Sequence, residues 1–212
     1  MAPTDLSRRE TPHPLWWLPN ALTVGRILLV PAVIAGILIT AQIDRVGWLV
    51  PWRATLFLFL LCIATDFLDG KLARSFGVVS SFGRMLDPIA DKLLVAGSLI
   101  AFMVVTSGDW RIAVPAFAII FRDITVSGAR EHAALSNRVM SPTRLAKWKT
   151  SLEFVAIVFL LMWTAAQTWL PVIDGTVAFR DLMWIGGLAA LWGAAALSVW
   201  TGLGYIRQAL RS

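Results

Sequence analysis

The chain has 212 residues, of which 58% are apolar and only 15% are charged, and its formal net charge is +6. Soluble proteins carry about 45–50% apolar and about 25% charged residues, so this composition argues against a soluble protein and favours one that lies in a bilayer. The single cysteine, Cys62, excludes an intrachain disulfide and a cysteine-based metal site. The two histidines, His13 and His132, are too far apart in sequence to indicate a zinc site.

Six long apolar runs follow one another along the chain, and each approaches the length of about 20 residues that a helix needs to cross a bilayer. We therefore predict an all-α, polytopic membrane protein with six transmembrane helices, over residues 20–41, 50–74, 85–106, 112–134, 150–171 and 183–205. Residues 1–14 are predicted to be a flexible cytoplasmic N-terminus, and residues 15–212 a single six-helix domain.

Charged residues interrupt the second and fourth spans early. Twelve uncharged residues separate Arg53 from Asp66, and ten separate Arg111 from Arg122. Such short runs cross a membrane only if the charged turns that follow also lie within its thickness, where charges are rare and face protein or water. The alternative is a soluble core helix, which the other four runs disfavour. The candidate site residues from this argument are Asp66, Asp69, Arg122 and Asp123.

The distribution of Lys and Arg predicts the orientation in the membrane. Six spans place both termini on one side, and that side with its adjoining helix ends holds fifteen Lys and Arg residues. The opposite side holds four, which are Arg45, Arg53, Arg111 and Arg180. Because positive charge concentrates in cytoplasmic loops, we expect both termini and the charged helix ends to be cytoplasmic.

Aspartates and small residues recur at helical spacing in the second and third spans. Asp66, Asp69, Gly70 and Ala73 fall on one face of a helix, and Asp87 and Asp91, at i and i+4, share a face of the next. If these two helices pack as an antiparallel pair joined by a short turn, four carboxylates point at one another. Pro88 fits if it lies in the first turn of its helix, in which case Gly83 belongs to the turn.

Four neighbouring carboxylates at membrane depth repel one another and suffer desolvation, which bound cations relieve. Only oxygen ligands are offered, so the set favours Mg²⁺ or Mn²⁺, with Ca²⁺ as a competitor. Two divalent ions would neutralise four aspartates and still attract a phosphate, and Arg74 lies one turn farther on. The alternative is that the carboxylates only cap helix ends or pair with Lys71, Arg74 and Lys92.

The full pattern, D-x-x-D-G-x-x-A-R, eight residues, then G-x-x-x-D-x-x-x-D, resembles the signature of the CDP-alcohol phosphatidyltransferase family at every fixed position. Enzymes of that family displace CMP from a CDP-linked lipid with an alcohol. The resemblance implies two divalent ions, Mg²⁺ or Mn²⁺, held by Asp66, Asp69, Asp87 and Asp91. It also implies that Gly70, Ala73, Arg74 and Gly83 contact the CDP moiety, and that Asp91 is the general base for the attacking hydroxyl.

Three further segments, residues 18–31, 122–131 and 145–150, resemble the phosphatidylglycerophosphate synthase branch of the family. A dianionic acceptor such as sn-glycerol 3-phosphate suits a basic cluster. The resemblance implies that its phosphate is bound by Arg122, Arg130, Lys147, Lys149 and Arg26. Alternatively, the lysines attract lipid headgroups and the two arginines of the middle segment pair with Asp123 and Glu131. The branch usually has Glu at position 123 and Gln at position 153, where this chain has Asp123 and Glu153.

We therefore expect phosphatidyl transfer from CDP-diacylglycerol to glycerol 3-phosphate at the cytoplasmic face of a bacterial inner membrane. The resemblance further implies a homodimer that contacts membrane lipid and no nucleic acid. Within the same chemistry, a cardiolipin synthase or a serine or inositol-phosphate transferase stays open. From a different class, buried acids and arginines could serve a cation transporter or proton relay, which gives no reason for Gly70, Ala73 and Gly83.

Overall fold

The computed structural model describes residues 17–42, 49–75, 81–135, 144–169 and 176–210. These residues form six helices: α1 Leu18–Gln42, α2 Leu49–Ser75, α3 Ser81–Val105, α4 Trp110–Leu135, α5 Arg144–Trp169 and α6 Thr176–Leu210. Each contains an apolar segment long enough to cross a membrane, and none of the described residues lies in a β-strand. The prediction of an all-α membrane protein with six spanning helices is confirmed. The predicted N-terminal segment, residues 1–14, lies outside the described residues.

The helix ends agree with the predicted spans to within a few residues, except in α5 and α6. α5 begins at Arg144 rather than at residue 150, and α6 covers Thr176–Leu210 rather than 183–205. Hydropathy marks only the apolar part of a helix, whereas Arg, Lys, Leu and Gln at its ends extend it because they are good helix formers. At 1.5 Å per residue α6 is roughly 52 Å long, well beyond the about 30 Å of a hydrocarbon core.

The start of α3 differs from the prediction at Pro88. α3 begins at Ser81, so Pro88 lies inside the helix rather than in its first turn. Gly83 consequently belongs to α3 and is buried, rather than forming part of the preceding turn. A proline removes one backbone donor, and spanning helices tolerate the loss where neighbouring groups satisfy the freed carbonyl.

The first helix separates the second from the third. α1 packs against both α2 and α3, whereas α2 and α3 make few direct contacts within the residues that the structure describes, so the predicted direct pairing of these two helices is wrong. Small residues allow the close approach: a Cβ added at Gly36 of α1 would overlap Thr55 of α2, and one at Gly97 of α3 would meet Ile34 of α1 at 2.6 Å. This arrangement places the Arg26 guanidinium of α1 among carboxylates of α2 and α3, where its charge offsets their mutual repulsion.

A tight turn reverses the chain between α3 and α4. Ser107 and Gly108 have φ angles of 53° and 76°, and the Gly108 N–H donates to the Met103 carbonyl at 2.8 Å, as in a helix C-cap. Asp109 then caps α4, accepting a hydrogen bond from the Arg111 backbone N–H at 2.9 Å. Hydrogen bonds from the Arg111 side chain lower the pKa of the Asp109 carboxyl, which keeps the cap charged. The turn returns α4 toward the end of α3 that carries the aspartates.

Candidate active site

The four aspartates of α2 and α3 meet around two side chains of α1. The Arg26 guanidinium donates to Asp66 at 2.5 Å, to Asp91 at 2.9 Å and to Asp69. One turn earlier, the Thr23 hydroxyl lies 2.8 Å from Asp87 Oδ1 and 3.4 Å from Asp69 Oδ2. Thr23 and Arg26 share a face of α1 because they are three residues apart. We refer to the four aspartates with Thr23 and Arg26 as the aspartate cluster.

The members of the aspartate cluster differ in exposure. The side chains of Arg26 and Asp69 are 0% and 5% exposed, while those of Asp66 and Asp91 are 39% and 43% exposed. The cluster therefore has a closed side, at α1, and an open side. Gly83 is buried at the start of α3, and Gly70 and Ala73 lie within α2. The side chain of Arg74 lies outside the described part of the chain.

The donor set of the aspartate cluster fits hard divalent cations, since it consists of carboxylate and hydroxyl oxygens. Four carboxylates carry more negative charge than one guanidinium neutralises. Within the residues that the structure describes, however, no three Asp, Glu, His or Cys side chains are spaced to share one metal ion. Arg26 accounts for this spacing, because three of the carboxylates turn toward its guanidinium.

The open side of the aspartate cluster faces a cavity of about 850 Å³. α2 and α3 contribute Asp66, Asp91 and Lys92 to its wall, and α4 and α5 contribute both basic and acidic residues. This volume falls in the range of about 300–1,000 Å³ that is typical of small-molecule sites. The polar residues that line the cavity are Asp66, Asp91, Lys92, Arg122, Asp123, Ser127, Arg130, Lys149, Thr150, Ser151 and Glu153.

Lys149 is held by two acidic residues in the wall of the cavity. Its ammonium group lies 2.5 and 2.7 Å from the two oxygens of Asp123 and 2.9 Å from Glu153 Oε1. The side chains of Lys149 and Glu153 are 4% and 2% exposed. These contacts join α4 to α5 and compensate the Lys149 charge inside the protein. Asp123 and Glu153 are the two positions at which this chain differs from the usual residues of the phosphatidylglycerophosphate synthase branch. Both therefore contact the same residue, Lys149.

Arg122 and Arg130, which the resemblance assigned to the acceptor phosphate, lie on the α4 side of the same cavity. The Arg122 guanidinium also donates to Asp123 at 3.0 Å and to the Thr201 hydroxyl of α6 at 3.0 Å. The sequence left open that Arg122 pairs with Asp123 instead of binding an acceptor. The structure contains this pair, and Arg122 also lines the cavity. Lys147 lies in α5, and its side chain is outside the described residues. Arg26 lies among the aspartates rather than with the basic residues of α4 and α5.

The sequence did not predict three residues that belong to the site or contact one of its members. Thr23 lies in a segment singled out for its resemblance, but nothing in its spacing showed that it reaches Asp87. Lys92 follows the last aspartate and lines the cavity, although we considered it only as a pairing partner. Thr201 lies 79 residues from the arginine it contacts, in a long apolar helix without a local signal.

Several named proteins are similar to this chain over nearly its whole length. A rice (Oryza sativa subsp. japonica) protein named cardiolipin synthase (CMP-forming) is 35% identical over 98% of this chain and 61% of its own length. A Cereibacter sphaeroides protein named CDP-diacylglycerol–glycerol-3-phosphate 3-phosphatidyltransferase is 36% identical over 92% of this chain and 96% of its own. A Rickettsia felis protein of the same name is 34% identical over 90% of this chain and 93% of its own length.

The family comparison covers the helices that build the site. Residues 16–200 match the model of the CDP-alcohol phosphatidyltransferase family. This range contains all four aspartates, the residues that line the cavity and five complete helices with most of the sixth. The chain spans 61% of the rice relative and nearly all of the two bacterial ones. The chain belongs to the CDP-alcohol phosphatidyltransferase family.

Proposed function

We propose that this membrane protein transfers the phosphatidyl group of CDP-diacylglycerol to sn-glycerol 3-phosphate, giving phosphatidylglycerophosphate and CMP. One observation carries the proposal: the same cavity is lined by Asp66 and Asp91 of the aspartate cluster and by Arg122 and Arg130 of α4. Phosphoryl transfer to a phosphorylated alcohol needs both, because the donor's pyrophosphate must be activated while a second phosphate is held beside it. The Cereibacter and Rickettsia relatives carry the name of this activity.

Asp66, Asp69, Asp87 and Asp91 would hold two divalent ions, Mg²⁺ or Mn²⁺. Bound there, the ions would polarise the phosphoryl group and stabilise the leaving phosphate oxygen. Arg26 makes contacts with Asp66, Asp69 and Asp91 that any cation bound by these carboxylates would have to replace at least in part. The displaced guanidinium would remain close enough to bind a phosphate, which is the role that the sequence suggested for Arg26.

The nucleotide would lie along α2 and the start of α3. The small residues Gly70, Ala73 and Gly83 would contact the cytidine and its phosphates, and Arg74 would add positive charge to the pyrophosphate. Support comes from the helical spacing, which places the small residues of α2 on the same face as Asp66 and Asp69.

Asp91 would act as the general base. Its carboxylate lines the cavity and its side chain is 43% exposed, so an alcohol in the cavity can reach it. It would accept the proton of the sn-1 hydroxyl as that oxygen attacks the β-phosphorus. The bond from the β-phosphorus to the bridging oxygen breaks, and CMP leaves with that oxygen.

Arg122 and Arg130 would bind the acceptor phosphate, and the resemblance adds Lys147 to this role. Arginine matches a phosphate by paired N–H donors. Lys149 was predicted to share this role, but Asp123 and Glu153 hold its ammonium within the wall. Its part in binding is therefore chiefly to fix Asp123 beside Arg122, through contacts at 2.5 and 3.0 Å.

Cardiolipin synthesis is the second candidate, because the rice relative is named cardiolipin synthase (CMP-forming) and is 35% identical. In that reaction phosphatidylglycerol is the acceptor, and its phosphate is a monoanionic diester. A cavity with two arginines favours the dianionic monoester of glycerol 3-phosphate.

We also propose that the protein lies in a bacterial inner membrane as a homodimer, with both termini and the cavity on the cytoplasmic side. The excess of Lys and Arg on that side supports the orientation. Reporter fusions at both termini test the orientation, and crosslinking in native membranes tests the dimer.

The function is tested with the purified protein in lipid nanodiscs that contain CDP-diacylglycerol. Labelled glycerol 3-phosphate, phosphatidylglycerol, serine and inositol phosphate are supplied separately, and CMP and labelled lipid are measured. We expect rapid CMP release and phosphatidylglycerophosphate with glycerol 3-phosphate only. Faster reaction with phosphatidylglycerol would make the protein a cardiolipin synthase, and no CMP release with any acceptor would refute phosphatidyl transfer.

A further inference from the structure

The last helix supports an arginine of the cavity. α6 packs along α4, and its Thr201 hydroxyl accepts a hydrogen bond from Arg122 Nη2 at 3.0 Å. Arg122 Nη1 donates to Asp123 Oδ1, also at 3.0 Å. Two acceptors on different helices, one at each terminal nitrogen, fix the plane of the guanidinium as well as its position.

The Thr201 hydroxyl is oriented to accept this bond. It lies 2.7 Å from the carbonyl of Leu197, one helical turn earlier, and donates its proton there. With the proton committed to the backbone, the oxygen lone pairs point toward Arg122. Thr201 is 7% exposed, so water does not replace it easily as a partner. A serine can reproduce this arrangement, whereas a valine of the same shape cannot.

The adjacent residue, Gly202, provides the space for the arginine side chain. A Cβ at Gly202 would lie 2.9 Å from Arg122 Cγ, closer than real Cβ contacts. Cγ is in the middle of the side chain, so an alanine here would force the whole guanidinium to move. Gly193, two and a half turns earlier in α6, is different: a Cβ there would meet Leu152 Cδ1 at an ordinary 3.6 Å.

We propose that Thr201 and Gly202 of α6 position the Arg122 guanidinium for the phosphate of the acceptor and so determine how tightly a phosphorylated alcohol binds. The proposal rests on the proposed function, because it assigns Arg122 to the acceptor. Thr201 and Gly202 are positioning residues, since they act through Arg122. Neither residue lines the cavity, so α6 influences which acceptor binds there only through the position of Arg122.

The test measures steady-state kinetics of variants in nanodiscs, with each substrate varied separately. For Thr201→Val we expect the KM for glycerol 3-phosphate to rise about tenfold, as for loss of a bond to a charged group. The kcat and the KM for CDP-diacylglycerol should change little, because the lost interaction is made in both ground and transition states. Thr201→Ser should restore the acceptor KM, and Gly202→Ala should raise it.

Two substitutions are matched controls. Thr40→Val removes a buried helical hydroxyl that also donates to a carbonyl one turn earlier, at 2.7 Å, but lies near the far end of α1. Gly193→Ala adds a methyl to α6 away from Arg122. We expect both to keep the wild-type acceptor KM. Thermal midpoints of all five variants separate a general loss of packing from a change at Arg122.

The proposal is overturned if Thr201→Val and Gly202→Ala have the acceptor KM of their controls, or if serine does not rescue. If Thr201→Val does not accumulate in membranes, Gly202→Ala decides alone, because it retains the hydroxyl and moves only the arginine. Failure of the proposed function would differ: the wild-type protein itself would show no glycerol 3-phosphate-dependent release of CMP.

Discussion

Replacing Arg26 by methionine tests how the aspartate cluster is stabilised. The substitution removes the guanidinium that contacts Asp66, Asp69 and Asp91 and leaves a side chain of similar length. Removing one partner of a buried ion pair costs about 3–5 kcal/mol, because the other charge stays buried without compensation. The carboxylate left buried without compensation is that of Asp69, whose side chain is 5% exposed. The carboxylates of Asp66 and Asp91 remain partly exposed to the cavity.

This loss of folding free energy corresponds to a lower thermal midpoint of unfolding. For a chain of this size 1 kcal/mol corresponds to roughly 2–4 °C, so in chelator the thermal midpoint of Arg26→Met should fall by about 6–20 °C. Divalent ions should reverse much of the loss, since a ligand at 100 times its Kd stabilises by about 2.7 kcal/mol. The variant should also bind Mn²⁺ more tightly than the wild type, because no guanidinium competes for the carboxylates.

Tryptophan fluorescence on heating, in nanodiscs with EDTA or with Mg²⁺, measures the midpoint, and calorimetric titration with Mn²⁺ measures affinity. Arg180→Met is the control, because the ion pair of Arg180 within the described residues is a 3.5 Å contact with exposed Asp181. Equal midpoints of Arg26→Met and wild type in EDTA would refute the role of Arg26 as the cation of the cluster. Equal Mn²⁺ affinities would refute competition between Arg26 and metal.

Three further predictions concern the reaction. Asp91→Asn should lower kcat about 10²–10⁴-fold in the nanodisc assay, as expected for a lost general base, and near-wild-type turnover would contradict that role. Glu153→Gln should lower the KM for glycerol 3-phosphate severalfold, because it removes a negative charge while Lys149 keeps both bonds to Asp123; an increased KM would be the opposite result. Treatment with EDTA should abolish CMP release and added Mg²⁺ or Mn²⁺ should restore it, whereas activity that persists in chelator would remove the metals from the proposal.

The sequence predicted the spans and the aspartates because both leave local signals. Apolar runs locate spanning helices, and the short run before Asp66 required its charge to lie at membrane depth. Spacing then placed Asp66 with Asp69, and Asp87 with Asp91, on common faces. The boundaries of α5 and α6 were less accurate, because their polar ends are helical without being apolar.

The sequence did not predict which helices are neighbours. Successive helices usually pack together, so α2 and α3 were expected to pair directly. The position of α1 between them follows from the contacts of Arg26 with partners 40, 43 and 65 residues later, which no local pattern reveals. The contact of Arg122 with Thr201 is of the same kind. Contacts of charged side chains with distant partners are thus the part of the site that no local sequence pattern predicts.

The central place of α1 has a consequence for the order of membrane insertion. Arg26 is synthesised 40 residues before Asp66 and 65 residues before Asp91. Until those residues emerge, its charge has no carboxylate partner from either helix and must be accommodated by reaching toward lipid headgroups and water. The ion pairs that hold α1 to the aspartates therefore form only as α2 and α3 enter the bilayer, and the pair with Asp91 forms after α3 has entered.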